Sequence, residues 1–315
     1  MLALRRPAPG AVIPLHPRLV LLLTLPPLLW AGNAVIGRLM VGQVPPMTLN
    51  LLRWGVTVVL LAPLALRTLG PWSQLRERWP YLLATGVLGV GLFNSLQYLA
   101  LVTSTPLNVT LVNSSMAVWM LIVGRVFFGE RASGRQWAGA ALGLLGVLVV
   151  IGRGSLHTLL NVHFVPGDLF TLAATVGWAG YSWLLARPPA HMRGSARPAW
   201  DWAAFLWVQV LFGLVAASTF TAGEHLLTEA KVHWSGGVFG ALLYVSLAAS
   251  IVAYRAWGLG VAEGGPALAA FFNNLTPLFA GLLSALVLGQ APQPYHALAF
   301  VLIVGGIVVS TRRAR

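Results

Sequence analysis

Residues 129–149 read GERASGRQWAGAALGLLGVLV, and residues 289–309 read GQAPQPYHALAFVLIVGGIVV. Both stretches begin with a glycine and an acid or amide side chain, and both end in an apolar run that contains glycine next to valine or isoleucine. They lie 160 positions apart, and two further pairs keep this spacing: Pro106 with Pro266, and Asn113 with Asn273. The two halves of the chain are therefore expected to share one fold.

The composition is that of a protein embedded in lipid. Of its 315 residues 57% are hydrophobic and 9% are charged, with a mean hydropathy of +0.79, whereas soluble domains carry about 25% charged residues. The chain has no cysteine, which excludes disulfides, thiolate nucleophiles and cysteine-ligated metals. The net charge of +13 is interpreted as a topology signal, and we expect no nucleic-acid partner.

Ten apolar stretches approach the length of about 20 residues that a membrane-spanning helix needs. The sequence therefore predicts an all-α membrane protein with ten transmembrane helices, at 18–40, 47–66, 80–101, 106–127, 134–152, 168–187, 201–221, 237–259, 265–288 and 294–311. Five helices fall in each half. Because this number is odd, the second half enters the membrane from the other side, and the halves become two inverted five-helix repeats.

This prediction divides the chain into five parts. They are a cytosolic tail at 1–17, the first repeat at 18–152, a non-cytoplasmic linker at 153–167, the second repeat at 168–311 and a basic end at 312–315. With the N-terminus inside, the inner side holds 14 of the 20 basic residues and the outer side holds 2, Arg153 and Lys231. Since basic loops stay in the cytoplasm, we expect a multi-pass protein of the inner (plasma) membrane with both termini cytoplasmic.

Residues 260–290, GVAEGGPALAAFFNNLTPLFAGLLSALVLGQ, carry a family resemblance. They resemble the penultimate span of EamA-type proteins in the drug/metabolite transporter superfamily, where a turn of small residues precedes a helix with Thr-Pro and a Leu-Gly-Glu end. The first half resembles the same unit through Phe128-Gly129-Glu130-Arg131 and Gln136-Trp137-Ala138-Gly139. It departs from the second half at two places. Ala117 stands where the second half has Pro277, so a straighter fourth span is expected, and Glu130 stands opposite Gln290.

The resemblance implies a ten-helix transporter of small metabolites, often amino acids or related compounds and frequently an exporter. It also implies a cavity between spans 1, 3, 4, 6, 8 and 9, with spans 5 and 10 packed as a scaffold or a dimer-like seam.

Polar side chains gather near the middle of spans 3, 4 and 9. These candidate substrate-binding residues are Asn94, Gln97, Tyr98, Asn113, Ser114, Asn273, Asn274 and Thr276. Pro277 cannot donate to the carbonyl of Asn273, which is therefore expected to be free for a substrate ammonium or a water. Two interpretations stay open: the side chains line a polar cavity, or they join helices through bonds worth about 0.6–2 kcal/mol each.

Aromatic and basic residues complete the candidate site. Trp30 with Asn33 in span 1 corresponds to Trp178 with Tyr181 in span 6, and Tyr254 and Arg255 are in span 8. Flat rings favour apolar or cationic groups, whereas Trp54, near a span end, is assigned to the interfacial belt. No acidic residue lies deep in a span, so Arg255 is expected either to bind a substrate carboxylate or to anchor its helix at the interface.

The sequence therefore predicts a secondary transporter that moves small zwitterions or uncharged polar metabolites by alternating access. Two alternatives stay open: a facilitative channel-like pore, and a carrier for another class such as nucleosides or organic cations. We expect no enzymatic activity, no cofactor and no metal, since no nucleophile, Walker loop or metal motif is present. The expected partners are a small-molecule substrate and the bilayer, with the chain as a monomer or a weak homodimer.

Overall fold

A computed structural model describes residues 15–229, 231–288 and 293–311. Within these ranges all regular structure is helical, and no strand is present. Most of the predicted tail, the basic end at 312–315 and the pair Gly289-Gln290 lie outside the described residues.

The helices follow one another with short connections. In the first half they are α1 Pro17–Leu39, α2 Pro46–Ala65, α3 Trp72–Gly86, α4 Phe93–Ala100, α5 Pro106–Ser114, α6 Met116–Phe128 and α7 Gly134–Ile151. In the second half they are α8 Leu156–Leu160, α9 Pro166–Ala186, α10 Trp202–Leu227, α11 Gly236–Ser246, α12 Ala253–Asn273, α13 Thr276–Leu288 and α14 Pro294–Thr311. We call the face of the bundle on which α1 begins the proximal face, and the other the distal face.

In the described part of the chain, eight helical segments are long and apolar enough to cross a membrane, or nine if the bent pair α5 and α6 is one span. The longest segment, Gly236–Asn273, has 38 residues, far more than one crossing needs. It is divided at Gly265, whose φ of 78° and ψ of 160° are not helical, and Pro266 then restarts the helix. The part of α12 after this break ends at Asn273, and α13 follows it directly.

Two π-helical turns interrupt long helices at matched positions. Val87–Leu92 joins α3 to α4, and Leu247–Val252 joins α11 to α12. The two turns are 160 residues apart, which is the spacing of the sequence repeat. A single π-helical turn breaks the regular hydrogen-bond ladder and is common at functional sites, so both turns mark places to search for a site.

The fourth span, expected to be the straighter one because it lacks the proline, is nevertheless bent. α5 and α6 meet at Ser115 with a bend of 43°, although Ala117 replaces the proline of the second half. The hydroxyls of Ser114 and Ser115 donate to the carbonyls of Leu111 and Val112, each at 2.6 Å. Serine hydroxyls bonded to the preceding turn compete with backbone N–H groups and bend helices, so they supply the break that the sequence lacks as a proline.

Several predicted boundaries also move. The third span begins at Trp72 and not near residue 80, and the seventh ends at Leu227 and not at 221. Hydropathy locates only the apolar part of each helix. The helical hydrogen bonds of the backbone continue past that part through polar residues such as Gln74 and Glu224. The predicted linker contains the short helix α8.

α7 and α14 pack together along glycines. A Cβ on Gly139 would lie 2.6 Å from the carbonyl oxygen of Gly306, and a Cβ on Gly306 would lie 2.7 Å from the carbonyl oxygen of Gly139. Such small-residue contacts let helix backbones approach closely. The outside of the bundle is apolar, with Val59 70%, Val126 66% and Leu286 82% exposed, as expected of a surface that meets lipid.

Candidate functional site

The centre of the bundle is an aromatic cluster drawn from both halves. The ring of Trp30 in α1 lies edge-on to that of Trp178 in α9, with centroids 5.3 Å apart, and Trp257 of α12 lies 5.5 Å from Trp30. Tyr254 of α12 lies 5.5 Å from Trp178, and Tyr181 lies 5.0 Å from Trp178. The two tryptophans that the sequence matched between halves are therefore in contact, and Trp178 is 1% exposed.

The two π-helical turns each direct a carbonyl oxygen to this cluster. Gly89 in the first turn accepts a hydrogen bond from the hydroxyl of Tyr254 at 2.5 Å. Ala249 in the second turn accepts from Trp30 Nε1 at 3.0 Å and from Arg53 Nη2 at 2.9 Å. Gly89 and Ala249 are 160 residues apart, so equivalent carbonyls of the two halves bind side chains around one centre.

Arg53 and Trp54 of α2 lie beside this cluster, although neither was predicted from the sequence to do so. Trp54 was assigned to the interfacial belt, but it is 0% exposed and its ring lies 5.2 Å from that of Tyr254. Arg53 is 2% exposed, and its Nε donates to Ser250 Oγ at 2.5 Å. Arg53, like Arg255, is an arginine inside a predicted span that has no acidic residue deep in any span to pair with, and this signal could have located it.

A group of polar side chains lies on the distal side of the helix breaks. Asn113 Oδ1 accepts hydrogen bonds from Thr175 Oγ1 at 2.9 Å and from Gln97 Nε2 at 3.5 Å. This brings α4, α5 and α9 together through amide and hydroxyl groups. The remaining predicted members of this region, Asn33, Asn94 and Tyr98, are partly exposed.

The asparagines beside Pro277 have separate environments. Asn273 Nδ2 lies 3.4 Å from the sulfur of Met116. The carbonyl of Asn273, predicted to be free, accepts from the hydroxyl of Thr276 at 2.8 Å, because Pro277 lies in the first turn of α13 and leaves that carbonyl within reach of Thr276. Asn274 is 2% exposed and faces Gly143 of α7. It therefore lies at the helix seam and not in the cluster.

Two other predicted residues make their contacts outside the ring contacts of the cluster. The guanidinium of Arg255 stacks over the ring of Trp202, 5.0 Å from its centroid, which fits the anchoring interpretation. The hydroxyl of Ser114 is used in the bend of its own helix.

With this geometry established, comparison with known proteins identifies the family. A family model described as the EamA-like transporter family matches residues 18–152 and 165–312. The chain belongs to this family. Membership makes it a multi-pass membrane transporter and not an enzyme, with a small molecule as its substrate and the bilayer as its environment.

Relatives of this EamA-family protein carry transporter names. An uncharacterized transporter of Bacillus subtilis, YyaM, is 25% identical over 272 residues, covering 86% of each chain. The aromatic amino acid exporter YddG of Ancylobacter novellus is 29% identical over 291 residues, covering 91% of this chain and 95% of the relative. A solved crystal structure matches with a TM-score of 0.73 and 25% identity, over 92% of this chain and 95% of the other.

The two faces of this EamA-family transporter are held by different groups. At the proximal face Glu130 forms an ion pair with Arg187, and Glu263 Oε1 lies 2.7 Å from His16 Nε2. At the distal face Asp168 accepts hydrogen bonds from Ser104 and, at 2.9 Å, from Asn108 Nδ2. These contacts join helices around the cluster. At the proximal face α1 is joined with α12, and the end of α6 with the end of α9; at the distal face α5 is joined with α9.

The chemistry of the cluster is that of recognition. Rings offer apolar faces and attract cations, and amides offer both donors and acceptors. Among the described residues, no group of three or more metal-binding side chains is present. Such groups are suited to holding a small molecule through non-covalent contacts.

Proposed function

We propose that the chain is a ten-span secondary transporter that exports amino acids or related small polar metabolites across the inner membrane. The observation that carries this proposal is the central aromatic and amide cluster, to which matched π-helical turns of both halves contribute. The name of the relative YddG, an aromatic amino acid exporter, supports the substrate class. The proximal face is the cytoplasmic one, because the predicted inner side holds 14 of the 20 basic residues.

The span count follows from dividing Gly236–Asn273 at Gly265 and from treating α5 with α6 as one bent span. α1 to α7 and α9 to α14 then form two five-span repeats of opposite orientation. Three features recur at the interval of 160 residues and support this arrangement: the π-helical turns, the prolines at 106 and 266, and the helix starts at Met116 and Thr276 that follow the breaks. Rocking of one repeat against the other exposes the cluster to each side in turn.

The proposed substrate-binding set combines residues of the aromatic cluster with polar residues of the spans around it. It comprises Trp30, Asn33, Asn94, Gln97, Tyr98, Asn113, Trp178, Tyr181, Tyr254, Asn273, Thr276 and Pro277. One chain supplies all of them, so we propose that a monomer is sufficient for transport.

Uptake of labelled L-phenylalanine into proteoliposomes tests the proposal. A carrier gives saturable uptake that is accelerated by unlabelled substrate on the other side, whereas a channel-like pore gives no counterflow. Asn113→Ala and Asn273→Ala are expected to reduce the uptake rate at least several-fold, because each removes an amide group that this proposal assigns to substrate binding.

The matched control is Asn161→Ala, since Asn161 is exposed and bonds to His157 outside the cluster. Uptake that is undiminished in both Asn113→Ala and Asn273→Ala would show that the site lies elsewhere. Saturable counterflow with another solute class, such as a nucleoside, and none with any amino acid would reject the substrate class.

A further inference from the structure

Arg53 is a buried positive charge that has no negative partner in the part of the chain that the structure describes. Its side chain is 2% exposed, with Nε bonded to Ser250 Oγ and Nη2 bonded to the carbonyl of Ala249. In the described ranges no carboxylate forms an ion pair with it. Nη1 is buried and has no hydrogen-bond partner among the described residues, so both of its N–H donors are unused.

This arrangement is costly unless an anion joins it. A guanidinium stays charged in proteins, and a buried charge needs a paired and hydrogen-bonded partner. Arg78, the other buried arginine in the described ranges, has such partners, because it donates to the carbonyls of Gln74 and Ala196 and pairs with Glu77. The difference indicates that Arg53 is kept for a ligand and not for the fold alone.

Other donors around Arg53 also lack partners. The indole nitrogens of Trp54 and Trp178 are buried without a hydrogen bond. The Arg53 guanidinium lies 4.7 Å from the centroid of the Trp54 ring, and Trp54 contacts Tyr254, which contacts Trp178. The unused donors therefore lie beside one continuous set of aromatic rings. A ligand with hydrogen-bond acceptors and an apolar group can bind the donors through the acceptors and the rings through the apolar group.

An unused acceptor lies one turn away on the same helix. Asn50 is 1% exposed, and its Oδ1 has no partner while Nδ2 donates to Ser95 Oγ at 3.1 Å. Residues three apart on a helix are neighbours on its surface. If a ligand carries an ammonium group next to a carboxylate, the ammonium group can therefore donate to Asn50 Oδ1 while the carboxylate binds Arg53.

We propose that Arg53 binds the carboxylate of the transported molecule, while the aromatic cluster holds its apolar side chain. This inference rests on the proposed function and names its substrate class: amino acids with aromatic or bulky apolar side chains. The planar guanidinium fork presents paired N–H groups that match the two oxygens of a carboxylate. Asn50 accepts from the ammonium group of the same ligand.

The first experiment compares ligands on the full-length wild-type protein. Unlabelled L-phenylalanine, L-phenylalaninamide and 3-phenylpropionate compete with labelled L-phenylalanine in proteoliposomes, and each is also tested for thermal stabilisation of the detergent-solubilised protein. The amide lacks the carboxylate, so it is expected to compete about tenfold to a hundredfold more weakly than the acid, as for the loss of a charged hydrogen bond. 3-Phenylpropionate keeps the carboxylate and is expected to compete better than the amide.

The second experiment changes the cation. Arg53→Gln is expected to abolish the preference for acid over amide, and Arg53→Lys to reduce it. Arg125→Gln, which removes an exposed arginine of α6, is expected to leave the preference unchanged. Because the preference is a ratio measured within each variant, partial loss of folded protein does not alter it. If Arg53→Gln does not fold, the wild-type ligand series and Arg53→Lys still decide the matter.

The outcomes separate this proposal from the proposed function. Uptake of phenylalanine with no preference for the acid, or a preference that survives Arg53→Gln, overturns the role of Arg53 and leaves transport intact. Binding with the expected preference but without uptake overturns transport and retains Arg53. If stability depends on chloride in the wild type but not in Arg53→Gln, and the amide competes as well as the acid, Arg53 holds an inorganic anion and the proposal is wrong.

Discussion

Tyr254 joins the two halves of the chain through one hydroxyl group. It is 4% exposed and donates to the carbonyl of Gly89, across the bundle from its own helix. Tyr254→Phe keeps the ring contacts with Trp30, Trp54 and Trp178 and removes this bond. The free energy of unfolding is expected to fall by about 0.6–2 kcal/mol, and this can be measured by denaturant titration of the purified protein.

The control for this change is Tyr295→Phe at the start of α14, where the ring packs beside His296 at 4.2 Å and the cluster is remote. Its effect on stability is expected to be small. If Tyr254→Phe is as stable as the wild type, the bond to the π-helical turn does not hold the halves together.

Single side chains show where sequence reasoning succeeds and where it stops. Trp30 and Trp178 were paired by their recurrence in the two halves, and the structure brings them into contact. Trp54 was misjudged because its depth along the helix was used as a guide to its environment. Burial also depends on which neighbour covers a face, and α12 covers this face of α2 through Tyr254.

Among the helices, α14 contains two adjacent glycines, of which one packs against α7 and the other does not. A Cβ on Gly306 would meet the carbonyl of Gly139 at 2.7 Å, whereas a Cβ on Gly305 would meet nothing within 4 Å. Gly306→Ala is therefore expected to lower the free energy of unfolding by about 1–3 kcal/mol through overpacking. Thermal unfolding in detergent measures the shift.

Gly305→Ala is the matched variant on the same helix. It removes the same backbone freedom without a clash, so stability is expected to stay the same or to rise by about 1 kcal/mol or less. Equal effects of the two substitutions would contradict the close approach of α7 and α14.

The shapes of individual helices were only partly predictable from the sequence. Apolar runs located the helices, because lipid contact requires them. The bend between α5 and α6 was missed, since it arises from serine hydroxyls bonded to their own helix and not from proline. The π-helical turns at Val87–Leu92 and Leu247–Val252 were missed as well. Both contain small residues that permit such turns, but no composition rule demands them.

The duplication explains why the site forms between the halves and not within either one. Each half contains one π-helical turn, and a carbonyl of that turn accepts hydrogen bonds from side chains of the other half. Gly89 of the first half accepts from Tyr254, and Ala249 of the second half accepts from Trp30 and Arg53. Neither half completes the cluster alone. In the proposed alternating-access mechanism, a movement of one half against the other would break or exchange these bonds, and this would couple the opening of either face to the state of the centre.

The orientation of the chain in the membrane can be tested directly, because it contains no cysteine. Ser155 precedes α8 on the distal side, Ser195 lies between α9 and α10 on the proximal side, and both are exposed. A membrane-impermeant maleimide applied to intact cells is expected to label Ser155→Cys and to label Ser195→Cys only after the membrane is permeabilised. The reverse pattern would invert the proposed orientation. Labelling of both variants in intact cells would mean that α9 does not cross the membrane between them, and the inverted arrangement of the two halves would then be wrong.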